Sequence, residues 1–249
     1  MSPFAGPGAA GSAPPVLVAV AHGTRDPAGL RTVAQVLDRV RALRPGTPVV
    51  CGFVGPALPG LDEVLEHVTG PAVVVPLLLG PGYHVRTDIP AAVRRAGRRP
   101  LIRTAAPLGP DPLLAGALAD RLREAGWAGR GAVVLAAAAS REPGARTAVA
   151  TAAAQLAGHL GRPVVPAFLG GSPSPAEAVA ALRQQGHGPV AVAPYLLAPG
   201  DFARRAAAAA GPGNALVSAP LGAHEAVARL VLRRYDAARA RTAGAVAAR

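Results

Sequence analysis

Short, uninterrupted apolar runs alternate along the chain with longer stretches in which apolar residues return every third or fourth position. The runs at 16–21, 49–53, 72–78 and 101–105 predict strands, and the periodic stretches at 28–43, 61–67, 89–96 and 112–125 predict helices. Strands that are apolar throughout, rather than alternating, need cover on both faces, which a parallel sheet flanked by helices supplies. The punctuation agrees: Asp26-Pro27 and Asp111-Pro112 each put a capping carboxylate before a proline suited to the first helical position. Asp88, two residues before Pro90, is read as a helix-start residue in the same way.

The pattern then repeats. Runs at 133–137, 164–168, 190–195 and 215–218 predict four more strands, each followed by a helix. Ser140-Arg141-Glu142-Pro143 echoes Thr24-Arg25-Asp26-Pro27, and Leu196-Leu197-Ala198-Pro199-Gly200 echoes Leu78-Leu79-Gly80-Pro81-Gly82. Ala219-Pro220-Leu221-Gly222 echoes Ala106-Pro107-Leu108-Gly109. The expected fold class is therefore α/β: two duplicated, flavodoxin-like lobes, each a four-stranded parallel sheet with helices on both faces. The first spans 16–126 and the second 131–240, with a join near 126–131 and a Gly-, Ala- and Pro-rich disordered tail at 1–15.

The two halves differ in their polar residues. His22 follows directly on the first predicted strand, and His84 lies in the loop after the third, within Gly80-Pro81-Gly82-Tyr83-His84. Ligands of open parallel sheets bind beyond the carboxyl ends of the strands. With strand order 2-1-3-4, the first and third strands are neighbours and both imidazoles open into one crevice. Imidazole ligates first-row divalent metals and titrates near neutrality, so the pair suits transient metal binding and proton uptake. The second half has Ala138 and Phe202 at the matching positions; it keeps the fold, lacks the site, and is expected to form a wall of the cleft. His67, His159, His187 and His224 fall on helices or turns and are expected at the surface or at caps. A hydrolytic zinc site is a poorer fit, for want of H-E-x-x-H or an evident third ligand. Neither a G-x-G-x-x-G after the first strand nor a G-x-x-x-x-G-K-[ST] occurs, and Ser140 and Ser172 lack a nucleophile-elbow setting.

Charge and composition change this picture little. The net charge is +12, but every basic residue is arginine and the arginines are dispersed over helix faces without aromatic interleaving; nucleic acid is not an expected partner. A positive chain does attract polyanionic small molecules. The one cysteine, Cys51, excludes an internal disulfide and a multi-thiolate zinc site, and is expected to be a buried strand residue. With no signal-peptide pattern and no apolar run near the ~20 residues that cross a bilayer, a cytoplasmic protein with no membrane partner is expected.

Together these residues resemble the sirohydrochlorin chelatases, which act in sirohaem or cobalamin synthesis, in their long two-lobed form. The likeness rests on Val18-Ala19-Val20-Ala21-His22-Gly23-Thr24-Arg25-Asp26-Pro27, on the stretch from Val75-Pro76-Leu77-Leu78-Leu79 through His84 to Asp88-Ile89-Pro90, and on Ala106-Pro107-Leu108-Gly109. The resemblance implies a lyase that inserts Fe2+, favoured, or Co2+ into a tetrapyrrole, with His22 and His84 contacting the metal. Gly23, Thr24, Arg25, Gly80, Gly82, Tyr83 and Arg86 are expected to bind the substrate, the alternatives being an ion pair with Asp26 or a helix contact for Arg25 and a packed loop aromatic for Tyr83. No organic cofactor is implied, the divalent metal being a substrate, and a monomer or weak dimer is expected. The alternative is a non-catalytic tetrapyrrole or metal carrier derived from a chelatase. The chain departs from the family pattern at Phe53-Val54-Gly55-Pro56, where an acidic residue is common, leaving Glu63, Glu66 or water to replace it, and at Asp111, where histidine is frequent.

Overall fold

A computed structural model of the protein describes residues 13–97, 101–142, 144–209 and 215–246. Most of the predicted tail, and Pro143 of the repeated motif, lie outside the described residues. Pro15 is described, and its carbonyl accepts a hydrogen bond from the Tyr235 hydroxyl at 2.6 Å.

The first lobe runs β1 (Val16–His22), α1 (Pro27–Leu43), β2 (Val49–Val54), α2 (Leu61–His67) and β3 (Ala72–Pro76). It continues through a π-helical turn (His84–Asp88) into α3 (Ile89–Arg95), then β4 (Ile102–Thr104) and α4 (Pro112–Glu124). The second lobe runs β5 (Ala132–Ala138), α5 (Ala145–Leu160), β6 (Val164–Leu169) and α6 (Pro175–Gln184). β7 (Val190–Tyr195), α7 (Asp201–Ala209), β8 (Leu216–Val217) and α8 (Glu225–Val246) complete it. The sheets are ordered β2-β1-β3-β4 and β6-β5-β7-β8, every pairing parallel. The duplication and the strand order expected from sequence are both present.

The continuous apolar strands are buried as their composition requires. Leu17 to Ala21 of β1 and Val133 to Ala137 of β5 are essentially inaccessible to solvent, each such side chain contributing about 1.5–3 kcal/mol where it is Val or Leu. Asp26 and Asp111 cap α1 and α4 as expected, accepting from the Ala28 and Leu113 amides at 2.9 and 3.0 Å. At the matching place before α8, His224 Nδ1 accepts from the Ala226 amide at 3.1 Å.

The lobes share one core because their last helices cross over. α4 packs against α5 and β7 of the second lobe, and α8 packs against α1, β3 and β4 of the first. The caps bind the exchange together. Asp111, buried, pairs with Arg233 and with Arg234 at 3.0 Å, both on α8, while His224 Nε2 lies 3.2 Å from Asp120 on α4. Arg234 also donates to the carbonyls of Pro107 and Leu108, each at 2.9 Å.

Candidate functional site

His22 is the last residue of β1, in register with Val54 of β2 and next to β3, so it stands at the centre of the sheet's carboxyl edge. Its backbone neighbour Gly23 donates to the Val54 carbonyl at 2.8 Å. A Cβ on Gly23 would lie 2.6 Å from the Ala57 amide nitrogen, so only glycine lets the β2–α2 loop close against this turn. Thr24 Oγ1 accepts from the Asp26 amide at 3.0 Å, which spends that hydroxyl on shaping the loop.

After β3 the chain crosses the end of β1, Leu77 donating to the Val20 carbonyl at 2.7 Å. The following loop is anchored from the other lobe: the Tyr195 hydroxyl donates to the Leu79 carbonyl at 3.0 Å. Gly109 makes this possible, since a Cβ there would lie 2.0 Å from the Tyr195 oxygen. This is the physical role of the Ala106-Pro107-Leu108-Gly109 motif. Gly80 faces Ala148 of α5, a Cβ there coming within 3.9 Å of its methyl, whereas a Cβ on Gly82 would meet no protein atom within 4 Å. Tyr83 is exposed, its ring 6.2 Å from that of His84.

The turn brings the two histidines together. Their ring centroids lie 5.0 Å apart, edge to face at 61°. His22 is open to solvent on one side and crowded by protein on the other. That partial desolvation is the main cause holding its pKa below the ordinary histidine value; the charge of His84 adds to it, and a hydrogen bond with the Gly23 backbone opposes it. His84 Nδ1 lies 2.5 Å from Asp88 Oδ2. Here the structure corrects the sequence reading. Asp88 caps no helix; it sits in a continuous helical turn with φ −70° and ψ −47°, and its carboxylate reaches back one turn to His84. The i,i+4 spacing from His84 was the available signal, hidden by the nearby proline.

The flanking cations divide into two kinds. Arg25 is exposed and makes no ion pair among the described residues; the Asp26 carboxylate, the alternative partner for Arg25, pairs instead with Arg204 of α7, at 2.9 Å. Arg86, also exposed, extends toward the second lobe, where a Cβ on Gly144 would lie 3.6 Å from its Nη2. Among the described residues no third His, Cys, Asp or Glu joins the pair in a metal-binding group. Gly55, just after β2, holds φ +107°, where a side chain is strained.

His67 falls where expected, whereas Cys51 lies in its predicted strand but is only half-buried. His67 bonds the Glu63 carbonyl on the exposed face of α2. Cys51 is half-buried in β2, and burial pushes its thiol up to about 11, so it is no thiolate at neutral pH. A groove of about 730 Å3 between α1 and the second lobe, walled by Thr32, Gln35, Arg39, Pro199 and Pro220, contains neither histidine. No described helix is long and apolar enough to cross a membrane.

Comparison with known proteins gives a consistent picture. The CbiX family model matches residues 16–125 and 132–238. A sirohydrochlorin cobaltochelatase of Methanosarcina barkeri (strain Fusaro / DSM 804) is 28% identical over 123 residues, covering 44% of this chain and 95% of that protein. Among solved structures, SirB from Bacillus subtilis with Fe3+ has a TM-score of 0.77 at 25% identity, covering 93% of this chain and 98% of that one. The sirohydrochlorin chelatase SirB from Bacillus subtilis subspecies spizizenii, in complex with cobalt, has a TM-score of 0.74 at 24% identity, covering 90% and 94%; that likeness is one of fold.

Proposed function

The chain belongs to the CbiX family, the sirohydrochlorin chelatases, and on that premise we propose that it inserts a divalent metal, Fe2+ or Co2+, into sirohydrochlorin at the pair His22 and His84. The observation that carries the reading is the 5.0 Å separation of two imidazoles on adjoining strand-end loops. An imidazole nitrogen holds such an ion at ~2.0–2.1 Å, so one ion can touch both rings. Imidazole is a borderline donor that accepts iron and cobalt alike, and two neutral ligands leave coordination positions open for a macrocycle's nitrogens.

The lowered pKa of His22 keeps its ring neutral near pH 7. It is then a metal ligand first and, once the ion has moved to the tetrapyrrole, an acceptor for the protons that leave the pyrrole nitrogens. Arg25, exposed and without an ion-pair partner among the described residues, offers a guanidinium matched to the substrate's carboxylates. Gly82 leaves open space beside the ring pair, and Tyr83 borders it. Gly23, Thr24, Gly80 and Arg86 complete the substrate-facing loops. The chemistry asks for no organic cofactor, the metal being a substrate.

Steady-state insertion with sirohydrochlorin and Fe2+ or Co2+, separately and in competition, tests the reading. Many turnovers per chain are expected with at least one ion. A second reading, a tetrapyrrole or metal carrier, is favoured by Gly55, which stands where the resemblance leads one to expect an acidic residue. A single stoichiometric spectral change without turnover would select the carrier.

A further inference from the structure

Resting on the metal role of the histidine pair, we infer that Asp88 is a positioning residue that fixes the ring of His84, holding the proton on Nδ1 and reserving Nε2 as the donor to the incoming metal. Neutral imidazole can carry its proton on either nitrogen, and only the other one has a lone pair to give. A carboxylate is an acceptor, so a 2.5 Å contact between Nδ1 and Asp88 Oδ2 requires the proton on Nδ1. The contact also sets the ring's rotation, because both partners sit on one helical turn, four residues apart. Carboxylates behind ligating histidines act in this way in metal sites generally, and their loss costs about 10–100-fold in metal affinity.

Two further observations support a site-specific role. No backbone amide uses the Asp88 side chain as a cap, so helix formation does not account for the residue. The duplicated lobe supplies the control: in the alignment that sets Phe202 against His84, Ala206 stands against Asp88. There the loop enters α7 without a π-helical turn, and Ala206 is fully buried. The second lobe lacks the histidine, the carboxylate and the turn together, as expected if the three form one device.

The test uses the full chain, labelled with 15N-histidine, and Co2+ as the probe ion. Long-range 1H–15N correlation on the metal-free protein should find His84 protonated at Nδ1. Asp88→Ala should shift the ring toward the Nε2-protonated form and weaken Co2+ binding about 10–100-fold by calorimetry. Asp88→Asn, nearly isosteric and with a carbonyl oxygen to accept from Nδ1, should keep the wild-type tautomer and recover most of the affinity. An unchanged melting temperature in both variants would set this apart from a packing effect. A wild-type His84 protonated at Nε2, or Asp88→Ala binding Co2+ as tightly as wild type, would overturn the inference. If the tautomer responds to Asp88 as stated but wild type binds no Co2+, the positioning contact stands and the chelatase reading of the site falls.

Discussion

Strands β1 and β5 have the same length, the same central place in their sheets and nearly the same burial, solvent reaching only the last residue in strength. That last residue is His22 in one lobe and Ala138 in the other. The loop after the third strand shows the same contrast, His84 and Asp88 in a π-helical turn against Phe202 and Ala206 in a regular helix. One chain thus holds the same scaffold with and without the site. The scaffold does not need the histidines, and the chemistry resides in a few loop positions that can be exchanged without disturbing the sheet.

The comparison breaks most sharply at those positions. His22→Ala or His84→Ala, which makes the first lobe resemble the second, should lower metal insertion by about 10²–10⁴ in steady-state assays. The melting temperature should stay close to wild type, since both side chains are partly solvent-exposed at the edge of the sheet and neither lies in the core. The matched helix caps give the next effect. Asp111→Ala removes a cap and leaves Arg233 and Arg234 facing an empty place, so urea unfolding should show a loss of about 3 kcal/mol. His224→Ala, at the equivalent and more open position, should cost about 1 kcal/mol. Equal losses from the two would mean that the buried Asp111 cap holds the exchanged helices no more strongly than the His224 cap.

The smallest effect sharpens the electrostatics of the pair. Followed by NMR, His22 should titrate below the ordinary histidine value of 6.5, so it gains its proton only at lower pH than a free histidine. His84→Ala should move that midpoint upward by removing the neighbouring charge, while the larger cause, desolvation, continues to hold it down. A midpoint indifferent to His84 would mean that the two rings do not sense each other.

Much of this architecture is legible in the sequence because periodicity reports burial directly. Apolar runs such as 16–21 and 133–137 mark strands covered on both faces, and repeated Gly- and Pro-containing loops expose the duplication. His22 and His84 stand out because both follow strands and neither has a counterpart in the second half. The exchange of α4 and α8 is not legible: an amphipathic pattern shows that a helix has an apolar face, not which sheet receives it. Asp88 was obscured by local chemistry, an aspartate just ahead of a proline having the look of a helix start, and its partner was settled by the π-helical turn. Asp26 carries the same lesson, since its cation comes from Arg204, far along the chain and across the lobe boundary.

At the proposed site one ion is shared by two imidazoles. X-ray absorption of the Co2+-loaded protein, which counts imidazole ligands by their outer-shell scattering, tests it most directly. Two imidazoles are predicted for wild type and one for each of His22→Ala and His84→Ala; the same ligand set in all three proteins would contradict it.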